Sequence, residues 1–150
     1  MIRDKTKDLK NIFISGAIPA HFIADSIQKH QLNTAIGAHS IFLGQVRSDQ
    51  VGDDQVTGIN YTAYEEMALL RMEGIREDVF KKYALACIHI HHSLGLVATG
   101  EVCLFVFTSS AHRKDAMDAC DELVERIKAE LPIWGKEILT NESHQWKENK

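Results

Sequence analysis

The chain has 150 residues, and its 17 Lys and Arg against 21 Asp and Glu give a formal net charge of −4. This length predicts one domain over residues 1–150, and 45% hydrophobic residues supply a core, which excludes disorder for most of the chain. The acidic balance argues against nucleic acid as a partner, because phosphate backbones bind basic surfaces. The longest apolar run, residues 102–107, is too short to cross a membrane.

The N-terminal residues 1–10 form a polar leader that lacks the apolar segment of a secretory signal. Three cysteines, Cys87, Cys103 and Cys120, make an odd number without a Cys-x-x-Cys pair, which suits a reducing compartment. Together these features predict a cytoplasmic protein whose cysteines are small core residues.

The first half of the chain predicts three strands and two helices. Residues 12–14 form a short strand, and Pro19 begins a helix whose apolar side contains Phe22, Ile23 and Ile27. Residues 37–46 form a strand, the polar residues 48–55 form a mobile loop, and residues 56–64 form a strand that returns as a hairpin partner of the first. A helix over residues 65–82 follows, and its buried face is Ala68, Met72, Ile75 and Val79.

The second half predicts an alternating strand over residues 84–92 and a continuously apolar central strand over residues 102–107. Ser109 or Ser110 can cap a helix that runs to about Glu130, where Pro132 stops it. A strand over residues 133–139 leads into a polar tail, residues 141–150. This order predicts an α+β fold with helices packed on a mainly antiparallel sheet.

One candidate site is the first turn of the last helix, where His112 and Arg113 meet free backbone N–H groups and the positive end of the helix dipole. On a helical wheel both residues fall toward the apolar stripe, so they are expected to face inward and bind an anion. The alternative is an arginine that passes the edge of the core to reach a carboxylate on a neighbouring strand.

Lys128 lies at the margin of the same apolar stripe. Partial burial would lower its pKa and make its amine a nucleophile or proton carrier. The alternative is an aliphatic stem that covers the core while the charge stays in water. Farther back in the sequence, Arg47 ends a strand just before the predicted loop, where it could bind a phosphate. Trp134, just after the lysine helix, could wall a pocket or pack in the core.

A competing site is formed by Cys87, His89 and His91, which alternate along one strand and so project from one face. Sulfur and imidazole could bind zinc or copper. A second ligand pair with zinc-finger spacing is missing from the sequence, and the alternative is a half-buried strand whose histidines form hydrogen bonds across the sheet. The favoured interpretation has no metal.

In their order along the chain, these fragments resemble the large, catalytic subunit family of molybdopterin synthase. The matching pieces extend from about residue 37 to residue 146: Gly44-Gln45-Val46-Arg47, Tyr64-Glu65-Glu66-Met67-Ala68, His92-Ser93-Leu94-Gly95 with Gly100-Glu101, Ser110-Ala111-His112-Arg113, and Lys128 followed by Pro132-Ile133-Trp134. The resemblance implies an α/β hammerhead-like fold with a small additional β subdomain.

The resemblance also implies an enzyme that transfers sulfur to cyclic pyranopterin monophosphate and so forms the dithiolene of molybdopterin. It implies a homodimer that carries small ubiquitin-like subunits, each bringing sulfur as a C-terminal Gly-Gly thiocarboxylate, so no cofactor and no catalytic cysteine are expected. By the same resemblance, Arg47, His112 and Arg113 belong to the anion and substrate pocket, and Lys128 is the essential lysine.

The chain departs from the family pattern at three positions. The resemblance places a second functional lysine directly after Trp134, but Gly135 occupies that position and the lysine follows at Lys136. A one-residue shift sends a strand side chain to the other face, so Lys136 is expected to enter the pocket as a catalytic residue through a bulge at Gly135. Ser93 and Thr62 replace an expected arginine and glutamate. A catalytically weak docking scaffold is therefore the alternative, ahead of a metal-binding module.

Overall fold

The computed structural model describes residues 9–149. The predicted leader therefore falls largely outside the described residues, as does Lys150 at the end of the tail. The elements, in chain order, are β1 (Phe13–Ser15), α1 (Ala20–His30), β2 (Ala38–Gln45), β3 (Gln50–Val51), β4 (Asp54–Ala63), α2 (Glu65–Lys82), β5 (Leu85–Ala98), β6 (Val102–Ser110), α3 (Arg113–Glu130), β7 (Ile133–Leu139) and β8 (His144–Trp146).

The strands form one sheet in the order β2-β6-β5-β4-β7-β8, with β1 beside β5 and β3 beside β4. Only the β1–β5 pair is parallel among the described strands. Strand β6 lies between β2 and β5, and its residues from Cys103 to Ser110 are all buried. The predicted central strand and the α+β class are therefore confirmed.

Helices cover β6 on both faces, because its side chains alternate between two cores. Leu104 and Val106 join the core beneath α2 and α3, whereas Phe105 and Phe107 join a smaller core that packs against α1. A third buried cluster lies among β4, β5, β6 and β7, around Val56, Ile59, Tyr61, Val97 and Leu139. This cluster corresponds to the small β region that the resemblance implied.

The two long helices agree with their sequence patterns. Helix α2 has the predicted bounds, and its predicted face, Ala68, Met72, Ile75 and Val79, is at most 2% exposed. Helix α3 ends at Glu130, and β7 begins directly after Pro132 because proline cannot extend the helix. None of the helices within residues 9–149 has the length and hydropathy required to cross a membrane.

The predicted hairpin between the second and third strands is wrong. Strand β2 pairs with β6, while β4 pairs with β5 and β7. The inward side chains of β4 fit the cluster around Val97 and Leu139 rather than the helix-covered core, so β4 takes its place on the other side of β5.

Several boundaries also differ from the predictions, and β5 runs to Ala98, six residues beyond its predicted end at residue 92. The interval expected to be a mobile loop contains a hairpin of β3 and β4, which turns at Gly52 with a positive φ of 62°. Ser109 and Ser110 cap no helix, because β2 pairs with them and extends β6, and His112 takes the cap position. The polar tail contains β8, which pairs with β7 after a turn at Glu142.

Candidate active site

Two connected hollows lie where the end of α3 meets the β4–β7–β8 part of the sheet. The inner cavity has a volume of about 150 Å³, and the outer groove beside it has a volume of about 610 Å³. Both are lined by Lys128, Trp146, Lys147 and Asn149. Tyr61, His92, Cys103 and Gly135 line the inner cavity only, whereas Arg47, Asp49 and Glu137 line the outer groove only.

Lys128 projects from the last turn of α3 to the boundary between the inner cavity and the outer groove. Burial of its ammonium lowers its pKa, and the positive charge of Lys147 lowers it further, while Cys103 and Glu125 act in the opposite direction. The direction of this shift agrees with a position at the margin of the apolar stripe, although the residue as a whole is exposed. A lowered pKa makes the neutral amine more accessible near neutral pH, which is the condition for proton transfer by lysine.

Lys147 follows β8 and is the functional candidate that sequence reasoning missed. Its backbone N–H donates to the Gly135 carbonyl oxygen at 2.8 Å, so it stands opposite Gly135 across the β7–β8 pair. Residues opposite each other in a pair project from the same face, which directs Lys147 into the inner cavity that Gly135 also lines. Its segment is polar and aperiodic, so only the strand pairing reveals this position.

His92 and Tyr61 form the floor of the inner cavity, with their rings in edge contact at 5.2 Å between centroids. The His92 Nδ1–H donates to the Ser93 carbonyl oxygen at 2.8 Å. Burial lowers the pKa of His92 to about 4, and the charges of Lys128 and Lys147 add to the effect. Burial likewise raises the pKa of the Tyr61 hydroxyl, with a further contribution from Cys103. The floor is therefore uncharged at neutral pH, and the cavity's positive charge comes from its lysines.

Arg47 lies at the rim of the outer groove, where its side chain is 79% exposed. Its Nη2 lies 3.3 Å from an Asp49 carboxylate oxygen, and such an exposed ion pair is weak enough for an anionic ligand to displace. The structure thus brings Arg47 and Lys128 to one groove, as the resemblance implied.

His112 and Arg113 do not join this group within one chain. The inward orientation predicted for them is wrong, since both are exposed at the first turn of α3. The apolar stripe of α3 becomes buried only from Ala116, so the first turn extends past the edge of the core. Lys128 lies 15 positions after Arg113 in α3, which is about 22 Å along the helix axis.

Lys136 does not enter the pocket, which contradicts the expectation of a bulge at Gly135. The β4–β7 register is unbroken around Gly135, which pairs with Tyr61, so Lys136 projects from the other face. Among the described residues, Lys136 is absent from the lining of the inner cavity and the outer groove, and its ammonium lies 5.6 Å from the Trp146 ring centroid.

The histidine-rich strand is also arranged differently from its sequence pattern. Cys87 and His89 share one face, as predicted, but the third member of their group is His30 from α1. His91 stacks on Phe105 with ring centroids 5.9 Å apart and an interplanar angle of 11°. The trio of Cys87, His89 and His91 is therefore not a ligand group in this structure.

Residues 18–130 match the family model described as MoaE protein. The chain belongs to the MoaE protein family. It is 36% identical over 121 residues to the molybdopterin synthase catalytic subunit of Oryza sativa subsp. indica, covering 81% of this chain and 62% of the relative. The chain thus spans less than two thirds of that relative's length.

Solved structures show the same fold as this MoaE family chain. Molybdopterin synthase from Staphylococcus aureus superposes with a TM-score of 0.79 at 28% identity, covering 94% of this chain and 99% of that one. The complex of subunits 1 and 2 of molybdopterin-converting factor from Helicobacter pylori superposes with a TM-score of 0.76 at 21% identity, covering 92% of this chain and 90% of that one.

Proposed function

We propose that this chain is the catalytic subunit of a molybdopterin synthase. It transfers sulfur from the C-terminal thiocarboxylate of a small ubiquitin-like carrier subunit to cyclic pyranopterin monophosphate, forming the molybdopterin dithiolene. The observation that carries the proposal is the convergence of Lys128, with its lowered pKa, and Lys147 at the junction of a cavity and an open groove. Family membership and the S. aureus structure support it.

The two hollows suit the two reactants. The outer groove is open enough to admit an extended Gly-Gly tail, whose residues lack side chains, and it leads to the ammonium of Lys128. Both the thiocarboxylate and the cyclic phosphate are anions, which Arg47, Lys128 and Lys147 complement. Sulfur comes with the carrier subunit, so the reaction requires no cysteine of this chain and no cofactor.

Each basic residue has a distinct role in this proposal. Arg47 binds an anionic group at the rim, and Lys147 holds a positive charge where negative charge develops during sulfur transfer. Lys128 transfers a proton, because its pKa is lowered toward the working range. In this proposal Lys147 takes the catalytic role that the sequence analysis expected of Lys136.

His112 and Arg113 serve the site through the homodimer that the resemblance implies. Because they lie about 22 Å from Lys128 in their own chain, they can bind substrate at that lysine only when they belong to a second copy. We place the assembly in the cytoplasm, in keeping with the three free thiols among the described residues.

The test is reconstitution with a thiocarboxylated carrier subunit and cyclic pyranopterin monophosphate, with molybdopterin detected by mass spectrometry. Lys128→Met is expected to reduce turnover by roughly 10² to 10⁴. Lys147→Met is expected to reduce turnover and, by removing a positive charge, to raise the pKa of Lys128, so the limb of the pH profile that Lys128 controls moves to higher pH.

Lys136→Met is the matched control, because Lys136 projects from the opposite face of β7 and lines neither hollow, although its ammonium lies 5.6 Å from the ring centroid of Trp146, which lines both. It is expected to retain activity. Loss of turnover in Lys136→Met with full turnover in Lys147→Met would reverse the assignment of the second lysine. A wild-type chain that binds the carrier subunit yet forms no product would instead be a docking scaffold, and the enzyme proposal would fail.

A further inference from the structure

A cluster of nitrogen and sulfur ligands lies on the α1 side of the sheet, away from the lysine site. His30 is the last residue of α1, and Cys87 and His89 alternate on β5 beneath it. One potential ligand atom from each residue lies within 4.8 Å of the other two, and all three residues are partly buried. Two imidazoles and a thiol are a donor set that binds zinc.

The hydrogen bonds of His30 orient its ring toward the cluster. The Nδ1–H donates to the Ser26 carbonyl oxygen at 2.6 Å, since a carbonyl can only accept. The Nε2 atom of His30 therefore carries the lone pair, and it lies 3.1 Å from the Nε2 atom of His89. A backbone carbonyl that fixes the second ring nitrogen is the usual support of a metal-binding histidine.

We propose that His30, Cys87 and His89 bind one Zn²⁺ ion. Zinc–nitrogen bonds of about 2.0–2.1 Å in a tetrahedral site place two ligand nitrogens roughly 3.3 Å apart, close to the observed 3.1 Å. A zinc–sulfur bond of about 2.3 Å places Sγ roughly 3.6 Å from each nitrogen, against an upper limit of 4.8 Å between these atoms here, so the Cys87 side chain has only a short way to close. Water occupies the fourth position.

The proton balance of this step is simple. The Cys87 thiol loses its proton and binds as the thiolate, while both imidazoles bind as neutral rings. The proton that lies between the two Nε2 atoms moves to Nδ1 of His89, so it stays on that ring. Binding therefore releases one proton per ion, and the metal is neither oxidised nor reduced.

The ion would join the end of α1 to the sheet, to which the helix is otherwise held by partly buried side chains. All residues of α1 are described, and none of them is fully buried. Its attachment depends on partly buried side chains such as Phe22 and Ile23 against Phe105 and Phe107. A ligand from the end of α1 and two from β5 would close this contact, so zinc binding stabilises the folded chain.

The test uses the purified chain with its metals removed by chelation, titrated with Co²⁺ and then with Zn²⁺. Co²⁺ is expected to bind one to one with a thiolate-to-metal charge-transfer band, which Zn²⁺ abolishes by displacement. Cys87→Ser is expected to lose the band, and His30→Gln to weaken binding roughly tenfold or more. His91→Gln, on the same strand but stacked on Phe105, is the matched control and is expected to keep both.

Wild-type protein that binds neither ion, or a Cys87→Ser variant that keeps the charge-transfer band, would overturn the proposal. Thermal unfolding gives a second measurement, in which Zn²⁺ raises the melting temperature of the wild type and of His91→Gln but not of Cys87→Ser. Neither readout uses turnover, so failure here leaves the proposed sulfur transfer untouched.

Discussion

His92 makes the stability of the fold depend on pH. The buried ring has a pKa of about 4, against 6.5 for an ordinary histidine, so the folded chain binds its proton less readily than the unfolded chain does. Stability from this group is complete above pH 6.5 and is lost as pH falls toward 4. The difference between these two pKa values corresponds to about 3 kcal/mol, most of which is lost by pH 4.5.

The perturbation is His92→Gln, because the glutamine amide can donate to the Ser93 carbonyl oxygen but does not titrate. Urea unfolding of both proteins at pH 7 and pH 4.5 measures the free energy of unfolding. Wild type is expected to lose roughly 2 to 3 kcal/mol more than the variant between these two pH values. An equal loss in the two proteins would show that His92 is not held neutral by burial.

Two further predictions concern packing, and urea unfolding checks both. Gly135→Ala places a Cβ atom 2.9 Å from Ile59 Cγ2 and is expected to destabilise the fold by about 1–2 kcal/mol. Gly74→Ala has open space around its Cβ position in the described part of the chain, and it is expected to stabilise α2 by roughly 0.5–1 kcal/mol. Equal signs for the two glycines would contradict this reasoning. Thr108→Val removes the 2.7 Å hydrogen bond that Thr108 Oγ1 donates to the Ala116 carbonyl oxygen, and is expected to cost about 1 kcal/mol; no loss would mean that the bond does not help to hold α3.

The elements predicted correctly are those whose apolar pattern is visible within a single segment of the sequence. The apolar residues of α2 recur at helical spacing, and β6 is apolar at consecutive positions because helices cover both of its faces. Strand partners depend instead on which distant surface each strand fits, so the pairing of β2 with β6 across about 60 residues left no sign in either segment. The same limit concealed β8, whose short polar sequence becomes a strand only beside β7.

The candidate site divides in the same way. Lys128 was identified because its position on the stripe of α3 is a property of that helix alone. His112 and Arg113 were given the wrong orientation because the wheel assumed that the core extends under the first turn of α3. Lys147 was missed because its position depends on a hydrogen bond to Gly135, a residue 12 positions away.

Gly135 and Lys147 are best understood together. A side chain at position 135 would meet Ile59 and Tyr61 Cε1 at 2.9 and 3.2 Å, so in this chain the space at that point of β7 is already filled. Lys147, which directly follows β8, extends into the same inner cavity from across the β7–β8 pair. Its ammonium is therefore present there without a lysine on β7. The positive charge next to Lys128 is thus provided by strand pairing rather than by the residue that follows Trp134. The electrostatics of the site consequently depend on the β7–β8 hairpin, and any change that separates the hairpin should raise the pKa of Lys128 together with that of His92.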